Sequence, residues 1–171
     1  MFIAHIPASY LCASILIEKW QIHKKTGLSK ITVISVALMM GILPDIDLLY
    51  FYLFDHRQHH HHTYWTHIPF FWGLLFGIPT LILFIINQQK LFWLTVLIEI
   101  TIILHLILDT HLGRIQWFYP FSKHAVYLLD ISAVHKNWIL NFFLHWTFLL
   151  ELLIIFIATN KLFRRWSKFC K

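Results

Sequence analysis

The chain has 171 residues, room for one domain spanning 1–171 and not comfortably for two. Hydrophobic residues make up 58% and charged residues 13%, about half the ~25% of soluble domains, which excludes an ordinary water-soluble fold. The net charge of +6 gathers in Lys19 to Lys30 and Lys161 to Lys171, beside apolar segments, as at a membrane face. No nucleic acid is expected at the basic tail.

Composition and segment lengths together predict an all-α integral membrane bundle of about four to five spans. Cys12 and Cys170 provide neither a disulfide framework nor a Cys-x-x-Cys metal pair. The N-terminus lacks the positively charged start of a cleavable signal peptide and is expected to be retained.

In chain order, Phe2 to Ile17 is apolar but barely long enough for a ~30 Å hydrocarbon core, so it crosses with help or lies partly re-entrant. Glu18 to Lys30 is a lysine-rich loop. Ile31 to Phe54 is the next span, and Pro44 predicts a break or kink, because it removes a backbone donor and disfavours helix just before it. Asp45 and Asp47 then fall at a fresh helix start, where Asp is a good cap.

Asp55 to His67 is a histidine loop, with five histidines in the nine residues from His59. Ile68 to Ile86 and Leu91 to Thr110 are further spans, the second carrying Glu99, His105 and Asp109, with Gly113 as its stop. Arg114 to Asn137 mixes aromatic and charged residues, as segments in the headgroup zone do. Trp138 to Ala158 is the last span, with His145 and Glu151, and residues 160–171 form the basic tail.

If every apolar segment crosses, Lys19 to Lys30, Lys90 and the tail share one side and carry most of the basic residues. The positive-inside rule makes that side cytoplasmic. His5, Asp45, Asp47, the histidine loop, His105, Asp109 and His111 then all fall towards the outer face.

These residues have the chemistry of metal ligands. His105 and Asp109, four apart, share a helix face and can chelate one ion, or simply hydrogen-bond at a helix end. Two carboxylates at Asp45 and Asp47 are costly beside an apolar phase unless a cation or helix N-terminal donors compensate them. His62 and His67 flank a loop short enough to bring both imidazoles to one ion. His59, His60, His61 and His111 are secondary metal candidates, or solvated side chains. Imidazole and carboxylate without thiolate suit zinc, and also manganese or iron(II). The ligands outnumber the four or so that one zinc takes, so two or more ions are possible. Glu99, His145 and Glu151 lie deeper, for packing between helices or for an ion path.

Gly41-Ile-Leu-Pro-Asp-Ile-Asp47, His62-x-x-x-Thr-His67, His105-Leu-Ile-Leu-Asp109, Gly113 and Tyr119-Pro-Phe-Ser122, with a leading His5, resemble the membrane-bound metal-dependent hydrolases, the family of YdjM-like, LexA-regulated inner-membrane proteins. The resemblance covers residues 1–122. The family is distantly like zinc-dependent phospholipase C. It implies a bacterial cytoplasmic-membrane protein with a helical multi-metal site that hydrolyses a phosphoester, of lipid or nucleotide type.

Carried onto this chain, His5, Asp45, Asp47, His62, His67, His105 and Asp109 hold the ions, a metal-bound hydroxide attacks, and Asp45 or Asp47 doubles as general base. Arg114, Lys123 and His124 hold a phosphate or lipid headgroup, or serve as interfacial anchors. The family's usual His-Arg-Gly-x-Thr-His is here His62-Thr-Tyr-Trp-Thr-His67, without the basic residue. The alternative function is transport or delivery of metal ions across the membrane.

Overall fold

Two left-handed residues turn the chain around at its first corner. Helix α1 (His5–Lys19) is followed by the short α2 (Ile22–Thr26), entered through Gln21 at φ 52° and left through Gly27 at φ 75°. At Gly27 the absence of a Cβ makes that conformation inexpensive. Ser29 then accepts the Thr32 N–H at 3.1 Å and caps α3 (Lys30–Ile42), which runs back along α1. The computed structural model describes residues 3–56, 58–59, 61–129 and 138–167.

Pro44 does not break the rod that α3 begins. Leu43–Ile46 tightens into one 3-10 turn and the helix resumes as α4 (Asp47–Leu53), giving a helical stretch of 24 residues from Lys30 to Leu53. Neither Asp45 nor Asp47 caps a helix start. Because the helix continues through the turn, no new N-terminus with unpaired N–H groups calls for a cap, which leaves both carboxylates available elsewhere.

After two 3-10 turns, His61–Thr63 and Trp65–His67, a second rod comprises α5 (Pro69–Trp72), a π turn at Gly73–Gly77 and α6 (Ile78–Ile85). α7 (Gln89–Thr110) is the longest single helix among the described residues, with 22 residues. α8 (Trp138–Leu144) and α9 (Phe148–Ser167) complete the described chain. The described residues hold no strand, only an isolated antiparallel bridge between Ile115 and Val126.

Two of these helices are long and apolar enough to cross a bilayer: Lys30–Leu53 and Gln89–Thr110. Pro69–Ile85 is apolar but shorter, α1 has 15 residues, and α9 carries Glu151, Lys161, Arg164 and Arg165 within its 20. Ala13, Leu16, Ile17, Ile22, Val33, Ala37 and Leu97 pack α1, α2, α3 and α7 into one core. Small residues bring α1 and α3 close: a Cβ on Gly41 would overlap the Ser9 hydroxyl. The outer faces expose Ile31, Met39, Leu49, Leu81, Phe84 and Phe156, an apolar coat that water would not favour and lipid would.

Candidate metal centre

Both rods, α1 and α7 bring acid and imidazole to one end of the bundle. Asp45 from the 3-10 turn, His67 from the turn before α5, and His105 and Asp109 one turn apart on α7 place one ligand atom each within 4.8 Å of one another. His67 Nε2 lies 3.5 Å from Asp45 Oδ1 and 3.3 Å from Asp109 Oδ2. His105 Nε2 lies 3.6 Å from Asp45 Oδ1 and 3.0 Å from Asp109 Oδ2. His67, His105 and Asp109 are buried, and Asp45 keeps 20% side-chain exposure, so it forms the open edge.

The remaining predicted ligands border this group. His5, at the start of α1, puts Nε2 3.1 Å from Asp109 Oδ1 and stacks on His105 with ring centroids 3.9 Å apart. His62 Nε2 is 3.6 Å from Asp109 Oδ2, and its ring meets that of His67 edge-on at 4.9 Å. Burial lowers the His62 pKa, against the pull of Asp109, which leaves a neutral imidazole at the rim.

Asp47 stands one step back. Its Oδ2 is 2.7 Å from His67 Nδ1 and also accepts the Thr66 hydroxyl. In the same way His105 Nδ1 donates to the Gly41 carbonyl at 2.8 Å. With Nδ1 of each ring so engaged, Nε2 faces the cluster and in the neutral ring would offer its lone pair to a cation. Trp72 locks the turn that carries His67 by donating Nε1–H to the Thr66 carbonyl at 2.7 Å.

This donor set fits a divalent cation. Two imidazole nitrogens and two carboxylate oxygens converge, and the buried negative charge they bring is costly without a positive partner. Without a metal, a proton serves: burial would lower His67, but hydrogen bonds to Asp109, Asp45 and Asp47 outweigh it and carry its pKa up to about 11. Asp109 uses both oxygens, Oδ1 towards His5 and Oδ2 towards His67 and His105.

The other candidates stand apart from the four-residue group. His59 pairs with Asp55 at 2.7 Å on the surface, and its hydrogen bonds lower Asp55 to about 2. His60 and the side chain of His61 lie outside the described residues. His111 caps the end of α7, with its ring 6.4 Å from Trp146, and burial lowers its pKa. Arg114 lies over the Tyr127 ring at 5.1 Å, and Lys123 and His124 are exposed.

Three residues have roles that the sequence did not suggest, and a fourth, Glu151, gives a specific form to the packing role expected of it. Gly41 and Thr66 sit inside the quoted motifs but act on the ligands rather than as ligands. Gly113 is a point of close approach more than a helix stop, since a Cβ there would stand 2.7 Å from His62 Nε2 and 2.9 Å from the Asp109 carbonyl. Glu151 of α9 is buried and accepts the backbone N–H of Ile3 at 2.7 Å and of Ala4 at 3.1 Å, holding the chain end that presents His5. Its one signal in the sequence was an ionisable residue inside an apolar span.

No curated protein and no solved structure is detectably similar to this chain. The family model described as YdjM inner membrane protein matches residues 1–169, so the match extends through the last helix as well as the motif region. With two bilayer-length apolar helices and an Asp/His group able to hold a metal ion, the chain belongs to the YdjM inner membrane protein family.

Proposed function

We propose that the protein is a metal-dependent hydrolase of the cytoplasmic membrane that cleaves a phosphoester of lipid or nucleotide type. The convergence of Asp45, His67, His105 and Asp109, with one partly open member, is the observation that carries this reading. A divalent cation in such a site, zinc first and manganese or iron(II) next, lowers the pKa of a water molecule and polarises a phosphoryl oxygen. His67 and His105 are held in the ligating tautomer by Asp47 and Gly41. Asp109 closes the buried side. Asp45, with solvent access, is the better placed of the two motif carboxylates to take a proton from water, while Asp47 is committed to His67 and Thr66.

The chain is multi-pass in this reading, with Lys30 and Lys161 at the cytoplasmic face and the Asp/His cluster towards the outer face. The helix directions support that arrangement. α3 and α7 start at Lys30 and Gln89 and lead to Asp45 and Asp109, while α1 starts at His5 and ends at Lys19. Weaker spans such as α1 and Pro69–Ile85 cross beside the two long helices, giving about four to five in all. Arg114, Lys123 and His124 are the candidate contacts to a phosphate or headgroup, and membrane lipids are the surrounding partner.

Transport of metal ions is the second reading. An ion path would use Glu99 and Glu151, but Thr80 donates its hydroxyl to Glu99, and Glu151 is taken up by the Ile3 and Ala4 backbone. Those attachments support packing roles. The experiment is a screen of phosphomonoesters, phosphodiesters and phospholipids with purified protein and added zinc or manganese. Metal-dependent turnover that falls by at least ~100-fold in Asp45→Asn supports hydrolysis. No turnover, with ion flux into proteoliposomes that is lost in Glu99→Gln, supports transport.

A further inference from the structure

At the bundle end opposite the Asp/His cluster there is a second polar site of different character. A cavity of about 440 Å³ is lined by Ile17, Glu18, His23, Lys30, Lys161, Arg164 and Arg165. Its walls come from the last turn of α1, from α2, from the first residue of α3 and from the basic end of α9. The volume lies within the ~300–1,000 Å³ of small-ligand sites.

The charge in this cavity is unbalanced. Lys161 pairs with Glu18 at 2.7 Å. Among the described residues no carboxylate pairs with Lys30, Arg164 or Arg165. His23 Nδ1 is buried with no hydrogen-bond partner among them. Burial, followed by the charges of Lys30 and Lys24, lowers the His23 pKa. Guanidinium groups suit phosphate in particular, because their forked donors match its oxygens.

The position selects the kind of phosphate. Both bilayer-length helices begin at this end, at Lys30 and Gln89, so when they span the bilayer, as in the reading above, the cavity lies at headgroup level of one leaflet. Beside it, on the same elements, Ile31 is 78% exposed, Phe163 78% and Trp166 69%, an apolar and aromatic flank suited to acyl chains and the interface. A free phosphate would use the basic cavity but not that flank.

We propose that this cavity binds the phosphate of an anionic phospholipid headgroup, with Arg164 and Arg165 as its main contacts and Lys30 and His23 completing the wall. The site is separate from the Asp/His cluster, which α1 places ~20 Å away along its 15 residues.

The test uses the full chain in a mild non-ionic detergent, with phosphatidylglycerol, phosphatidylcholine and glycerol 3-phosphate as probes and native mass spectrometry as the readout. Wild type should retain phosphatidylglycerol in preference to phosphatidylcholine. The double variant Arg164→Gln/Arg165→Gln should lower that affinity at least about tenfold, while Lys90→Gln, exposed at the same end of the bundle but outside the cavity lining, leaves it unchanged. Lys30→Gln is the second variant should the double one fail to fold, and its expected loss is about fivefold. Equal retention of the two lipids, unchanged affinity in the folded variants, or displacement of the lipid by equimolar glycerol 3-phosphate would overturn the proposal.

Discussion

Asp47 Oδ2 and His67 Nδ1 are 2.7 Å apart, and this pair decides which nitrogen of His67 faces Asp45 and Asp109. The carboxylate acts on the cluster through the ring it orients. Asp47→Asn keeps the shape but can present its amide N–H to Nδ1, which favours the wrong tautomer. Metal affinity is expected to fall about 10- to 100-fold, read by competition with a chelator of known affinity. Circular dichroism should be unchanged.

His67 also sets the pH response. Its folded pKa of about 11 lies above the ordinary 6.5, so its contribution to the stability of metal-free protein is complete below pH 6.5 and lost as pH rises through 11. The melting temperature of metal-free protein should therefore decline across that interval. A divalent cation must displace the same proton, so its apparent affinity should rise over the same window, with proton release measurable in weakly buffered solution. A melting temperature that climbs with pH would show that His67 is not the group holding the acids together.

Gly113→Ala and Gly73→Ala form a matched pair. The first puts a methyl group against His62 Nε2 and the Asp109 carbonyl, whereas nothing lies within 4 Å of a Cβ at Gly73. Gly113→Ala should destabilise by about 1–3 kcal/mol and weaken metal binding. Gly73→Ala should be neutral or stabilising by about 0.5–1 kcal/mol. Thermal unfolding in detergent, with and without zinc, separates the two.

Glu151 anchors α1 from the far end of the chain. Replacing it with Ala leaves the buried N–H of Ala4 and the part-buried N–H of Ile3 without this acceptor, at a cost of about 1–3 kcal/mol, and loosens the helix start that presents His5. Glu151→Gln keeps one carbonyl oxygen and should lose less. Differential scanning fluorimetry gives the order, and hydrogen exchange at the start of α1 gives the site.

Much of this arrangement was legible in the sequence, because short spacings fix local geometry. His105 and Asp109 had to share a helix face, and Pro44 had to disturb the helix beside Asp45. The size of that disturbance was not legible: a 3-10 turn absorbed it, which freed both aspartates from capping. Glu151 illustrates the other limit, since its contact with Ile3 and Ala4 joins opposite ends of the chain and leaves no periodicity to read, while His5 was legible only through the family resemblance. Two helices, Lys30–Leu53 and Gln89–Thr110, have the length and hydropathy of independent spans, whereas the charge in α9 and the shortness of α1 make those helices depend on neighbours.

The most direct measurement is the metal content of detergent-purified wild type beside His105→Ala, each checked for wild-type elution on size exclusion. About one equivalent or more of a divalent transition metal per chain is expected in wild type, with the folded variant retaining less than about a tenth of it. A wild type that stays metal-free after incubation with zinc, manganese and iron(II), or a variant that keeps its full complement, would contradict a metal centre at Asp45, His67, His105 and Asp109.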